Sequence, residues 1–136
     1  MPFTLRRPAP VIGLDREAYR PGDPVRVTVT LPVSERTRHV RGHARLRCHR
    51  PPDAFADALV DPPEVATCGP DCVEVARAEL SPAGPASGGG LQLVAVLHLP
   101  PDAEPSCRGT REVAAWEVVA VVDRRAASAW VEVLPL

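Results

Sequence analysis

Four cysteines and four histidines are the residues of this 136-residue chain best able to do chemistry. Cys68-Gly-Pro-Asp-Cys72 is a C-x3-C pair, and Cys48, His49 and Cys107 are available to complete a set of four soft ligands. Structural zinc requires thiolates and imidazoles converging tetrahedrally at about 2.0 to 2.3 Å. The usual knuckle spacing is C-x2-C, and nothing in the sequence draws Cys107 towards the pair. The cysteines therefore read first as a loop thiol pair, with Cys48 and Cys107 buried or semi-buried. A small zinc-binding structural module using Cys48, Cys68, Cys72 and Cys107 is the alternative. A Cys68 to Cys72 disulfide needs oxidising conditions. As catalytic groups the cysteines lack partners: Cys48 and His49 are neighbours, but in a strand they point to opposite faces. No H-E-x-x-H, glycine-rich phosphate loop or G-x-S-x-G occurs. The expectation is a protein that is not an enzyme and uses no cofactor.

The second candidate is the stretch "HVRGHARLRCHR", residues 39 to 50. Alternate residues put His39, Arg41, His43, Arg45, Arg47 and His49 on one side, and Val40, Gly42, Ala44, Leu46 and Cys48 on the other. Same-side neighbours on a strand are about 6.6 Å apart, twice the rise per residue, so Arg41, Arg45 and Arg47 could track a row of negative groups. Three readings compete. The plainest is the solvated side of a half-buried strand, where charges also discourage edge pairing. Next comes an acidic protein partner, whose carboxylates suit the planar guanidinium fork. Last is a phosphate polymer or anionic lipid. No aromatic is interleaved to stack bases, so nucleic acid is the weakest of the three.

These residues must be positioned by strands. Seventeen prolines and nine glycines interrupt the chain, and the segments between them alternate with period two or run Val-rich. "VRVTVTL" is the clearest, with Val25, Val27, Val29 and Leu31 inward. Further strands are expected at 11–16, 39–49, 72–80, 91–99, 112–123 and 128–134, with a short one near 60–66. A single helical turn capped by Asp53 would not alter the class. "LQLVAVLHL" and "VAAWEVVAVVD" are apolar on both faces and should lie centrally, with His98 at the core or its boundary. Trp116 and Trp130 both read as structural. In "RPGD", Pro21 presets φ and Gly22 supplies the positive φ of a type II turn. "RRAAS", residues 124 to 128, reads as a hairpin turn. "SPAGPASGGG" and "PPDAEPSCRGT" read as connections.

Composition supports one domain, 1–136, with an aliphatic core, since aromatics are only 4%. The net charge of -1 argues against a wholly basic surface, but the halves differ: 11 Arg against 4 acids up to residue 50, then 5 Arg against 13 acids. All sixteen basic residues are Arg, as GC-rich bacterial coding favours. The N-terminus has no signal-like apolar region and no run is long enough for a membrane span, so a cytoplasmic protein with reduced thiols is expected.

Two segments resemble the amino-terminal domain of arrestin-like proteins, including bacterial sporulation-control relatives. The first carries Tyr19, Pro21, Gly22 and Asp23 before Val25, Val27, Val29 and Leu31. The second carries Leu99 and Pro100, then Pro105, Ser106 and Gly109, then Trp116, Val118, Ala120 and Val122. The resemblance implies a single antiparallel β-sandwich of seven to eight strands, immunoglobulin-like or arrestin-like. It also implies a non-catalytic adaptor or regulatory scaffold that contacts a protein partner. An exposed sheet edge, independently of the resemblance, leaves a homodimer open. Arrestins carry two such sandwiches and this chain has room for one, so receptor and phosphate chemistry are not carried over. The partner-binding candidates are Arg41, Arg45, Arg47, His39, His43 and His49.

Overall fold

Alternation of Val25, Val27, Val29 and Leu31 with Arg26, Thr28 and Thr30 gives one dry face and one wet face, and all four apolar residues are buried. The computed structural model describes residues 10–32, 40–50, 72–85, 90–108 and 111–136. The short strand expected near 60–66 and the Asp53 turn lie outside them. Among the described residues there are strands and no helix, hence no helix long and apolar enough to cross a membrane.

The strands are β1 (Val11–Leu14), β2 (Ala18–Tyr19), β3 (Pro24–Leu31), β4 (Gly42–His49), β5 (Cys72–Glu79) and β6 (Ser81–Pro85), followed by β7 (Leu91–His98), β8 (Cys107–Arg108), β9 (Arg111–Glu112), β10 (Ala115–Val122) and β11 (Arg125–Val133). One sheet has the order β1-β3-β7-β6 and the other β2-β11-β10-β4-β5, with β8-β9 as a separate ribbon. All pairings are antiparallel except β2 with β11. Leu93, Ala95 and Leu97 join the β3 valines from one sheet. Ala44, Leu46, Cys48, Trp116, Val118, Ala120, Val122, Val131 and Val133 face them from the other. The molecule is an all-β sandwich of two mainly antiparallel sheets.

Seven strands, β1, β3, β4, β5, β7, β10 and β11, match the sequence expectation. The short ones, β2, β8 and β9, have too few residues to show a period, and β6 occupies a segment read as a connection because prolines and Gly84 hide it. Pro82 and Pro85 fit there because β6 is an edge strand. The β10–β11 turn is Asp123-Arg124, both at positive φ, closing a two-residue hairpin of the primed kind. Ser128 therefore lies within β11, not in the turn. β10 is buried on both faces as expected, whereas β7 is not: Val96 and His98 are exposed on its outer side. No third layer covers that side among the described residues, so His98 is not a core group.

The expected type II turn is present. Gly22 has φ +85° and the Asp23 N–H donates to the Arg20 carbonyl at 3.0 Å. Gly22 N–H also donates to the Pro100 carbonyl at 3.0 Å, and Leu99 N–H to that of Asp23 at 3.0 Å. The two segments that carry the family resemblance thus meet side by side. Nearby, the Tyr19 hydroxyl donates to Asp15 Oδ1 at 2.7 Å and accepts from Arg16 N–H at 3.1 Å, while Arg26 N–H donates to the same Asp15 oxygen at 3.1 Å. Burial works to raise the Asp15 carboxyl, but the bonds from Tyr19 and Arg26 outweigh it and hold it below its ordinary value. Burial and the bond to Asp15 push the Tyr19 phenol up to about 12.

Because an unfolded tyrosine ionises near pH 10, this stabilisation is present below about pH 10 and is lost as pH rises towards the folded value. Tyr19→Phe is expected to cost about 1 kcal/mol near neutral pH. The same change should flatten the alkaline loss of stability. Urea denaturation at neutral and alkaline pH checks both parts, and a steep alkaline loss persisting in the phenylalanine variant would contradict the second. Tyr19 is the only tyrosine, so its ionisation can be followed directly by absorbance.

Candidate functional site on the outer face of the five-stranded sheet

Alternation in β4 is as the sequence predicts: Ala44, Leu46 and Cys48 point into the core and His43, Arg45, Arg47 and His49 point away from it. The environment of the outward set differs from that expectation. β4 is not an edge strand; it lies between β10 and β5. Each outward residue therefore has cross-strand neighbours on both sides. Arg47 faces Glu117 of β10 and Glu74 of β5, Arg45 faces Val119 and Arg77, His43 faces Val121 and Glu79, and His49 faces Ala115 and Cys72.

The stripe is consequently not simply solvated. Arg47 is only 5% exposed, Glu117 3% and Val119 fully buried, while His43, Arg45 and His49 are half-buried. Arg41 is exposed just ahead of the strand, and its carbonyl accepts from Asp123 N–H at 3.3 Å. His39 lies outside the described residues. The remaining five site residues share one end-to-end row, but Arg47 is withdrawn from any approaching surface.

Acids on adjacent strands neutralise part of the row. Arg45 Nε lies 3.4 Å from Glu74 Oε1 and donates to His43 Nε2 at 2.9 Å. An Nε2 that accepts carries no proton, so this bond selects neutral His43. Burial, followed by the charges of Arg77 and Arg45, pushes the His43 imidazole below its ordinary value, with Glu74 opposing. At the other end His49 Nε2 is 3.0 Å from Glu117 Oε1. The ring also meets Trp130 edge-on, with centroids 5.7 Å apart and planes at 62°. Trp130 is not a core residue like Trp116: it is 53% exposed on this outer face.

Glu117 and Trp130 were missed as site residues. A lone acid within "AWEVVAVV" is the signal that could have found Glu117, since a carboxylate in a strand dry on both sides needs a dedicated partner. Trp130 gave no such signal, because its face is set by the hairpin register.

The described cysteines are not gathered as a zinc set. Cys72 is disulfide-bonded, Cys48 is buried against the core and Cys107 is an exposed free thiol, so the expectation of a semi-buried Cys107 and of a reduced Cys72 is corrected. Cys68 lies outside the described residues. No cluster of three or more metal-ligating side chains occurs among the described ones. Burial pushes the Cys48 thiol up, away from reactivity. Two of the edge strands offer little for strand addition: β5 has a register shift between the partners of Leu46 and Arg47 and carries Glu74, Arg77 and Glu79, and β6 holds two prolines.

The sequence matches no protein-family model, and none of the curated proteins matches it. In three dimensions the chain is similar to the crystal structure of Spo0M, the sporulation control protein of Bacillus subtilis, with a TM-score of 0.53 at 14% identity, covering 95% of this chain and 51% of that one. The chain spans about half the length of that protein. The likeness is one of fold.

Proposed function

We propose that this chain is a non-catalytic adaptor or regulatory protein that binds another protein through the outer face of its five-stranded sheet. The observation that carries this reading is Trp130, a large aromatic held half-exposed beside His49 on a face that also presents Arg45 and, ahead of the strand, Arg41. Tryptophan and arginine dominate the energetics of protein interfaces because each combines a large contact area with directional bonding. The structural neighbour is itself named a control protein, which agrees with a regulatory role.

The partner that fits is a protein surface with an apolar recess for Trp130 bordered by carboxylates for Arg41 and Arg45. A uniformly acidic partner fits less well, because Glu74 and Glu117 share the face. The same two acids weigh against a phosphate polymer. Arg47 serves the sheet's interior and not the contact.

The test begins with an untagged pull-down from the native host to identify what co-purifies. Trp130→Ala is then expected to weaken binding of that partner by about thirtyfold, the loss of a typical hot spot of about 2 kcal/mol. Undiminished binding by this variant removes the proposal. Arg45→Glu tests the charged part, whereas Arg47→Glu is unsuitable because it changes a buried charge and lowers stability.

A further inference from the structure

In the hairpin that joins β10 to β11, the residues flanking the two-residue turn, Val122 and Arg125, pair and exchange both ladder bonds. Ladder direction alternates from there. Arg125, Ala127, Ala129 and Val131 turn their backbone N–H and C=O groups to β10, and Ala126, Ser128 and Trp130 turn theirs to the opposite side. The far end of the strand agrees: Leu134, in the same phase as Trp130, donates its N–H to the Tyr19 carbonyl of β2 at 2.7 Å. β2 pairs with β11 only at Glu132 and Val133. Among the described residues no strand lies along the rest of that side.

The devices that protect an edge are missing here. Residues 126–130, AASAW, carry no charge, no proline and no register shift, in contrast to β5 and β6. β1 is the neighbouring edge of the other sheet and is also uncharged. It is shorter, and because Asp15 N–H donates to the Arg26 carbonyl of β3 at 3.2 Å, only Ile12 and Leu14 of β1 turn their backbone groups outward. The inward side chains along this side, Ile12, Leu14, Ala127 and Ala129, are half-buried, whereas those of β3 and β10 are buried. Between the two edges the sandwich therefore keeps apolar surface that one further strand would cover.

We infer that residues 126–130 of β11 receive an extended segment of the partner protein as an added strand. This rests on the binding role proposed above and names the chemistry of the partner. The segment is proline-free and alternates, with apolar residues over Ala127, Ala129, Ile12 and Leu14 and the other set beside Trp130 on the outer face. Its backbone completes the ladder at Ala126, Ser128 and Trp130. A row of backbone donors and acceptors is matched by another backbone, not by a phosphate polymer or a lipid surface. β2 closes the line at Glu132, which limits the segment to about five residues, or about 17 Å. A second copy of this chain fits poorly: antiparallel pairing of two β11 strands about Ser128 sets Arg124 of one copy opposite Glu132 of the other, where β2 already lies.

The probe for the test is a phage-displayed library of random heptapeptides selected on the immobilised full-length chain, with enriched sequences resynthesised. These are expected to alternate apolar and polar residues. N-methylating every second amide should weaken binding at least tenfold in one phase and barely change it in the other, because only one phase faces β11. Ser128→Pro removes a donor that the β10 ladder does not use. It should keep the melting temperature and lose at least tenfold in peptide affinity, while Ser128→Ala keeps both the donor and the binding. Equal effects of N-methylation in the two phases, or no enriched peptide, overturn the inference, and neither result needs a variant to fold. Self-association through β11 in place of peptide binding also overturns it. With the partner from the pull-down, binding lost in Trp130→Ala but kept in Ser128→Pro removes strand addition and leaves the binding role standing. Binding kept in both removes both.

Discussion

Trp116→Ala is expected to lower the free energy of unfolding by about 4 kcal/mol, the largest effect of any single side-chain truncation considered. Trp116 is 3% exposed on the inner face of β10, between Cys48 of β4 and Val131 of β11. Only 4% of the chain is aromatic, and the buried residues described around it are mainly aliphatic. Truncation creates a cavity in a mainly aliphatic core. It also orphans the Glu104 carbonyl, which accepts from Trp116 Nε1–H at 2.9 Å and fixes the loop before β8. Trp116→Phe keeps most of the volume and loses the bond, so it should cost roughly half as much. Urea denaturation followed by circular dichroism separates the two variants, since Trp130 would complicate fluorescence. A loss below about 1 kcal/mol for the alanine variant would mean that the core refills, contrary to the packing described.

The second prediction sets two strand glycines against each other. At Gly42 a Cβ would sit 2.6 Å from the Val121 carbonyl oxygen, 2.9 Å from Val122 Cγ2 and 3.1 Å from Leu80 Cδ1. The first contact is with backbone of the paired strand, so relief requires the start of β4 to part from the end of β10. Gly42→Ala is expected to cost about 2 to 3 kcal/mol. At Gly13, on the outer side of β1, the nearest atom is the Thr28 carbonyl oxygen at 4.0 Å, ordinary contact. Gly13→Ala should be neutral or stabilise by about 0.5 kcal/mol, because alanine narrows the unfolded ensemble. Thermal melts of both variants check the pair, and equal shifts would contradict the close approach at Gly42.

These two glycines mark the boundary of what was readable in the chain. Both interrupt a strand pattern, and only the partner strand distinguishes them. The same holds for the basic row. Alternation within β4 was legible because a strand's period is a local property, and it correctly separated Cys48 from His49 and placed Arg45 and Arg47 together. That β4 is central and flanked by acids was not legible, because Glu74 and Glu117 are far from it in sequence and arrive through register. Solvation, the first reading of the row, gave way to a half-buried polar layer for this reason.

By itself the sequence determined the all-β class, most strand positions, the Pro21-Gly22 turn and the inward residues, since each depends on dihedral preference or on period-two burial. Tertiary structure decided which outward residues meet: Trp130 with His49, His49 with Glu117 and, across the β4–β5 ladder, with Cys72. A one-residue slip in either pairing would turn these side chains to the opposite face, and no local sequence signal specifies a register between distant strands.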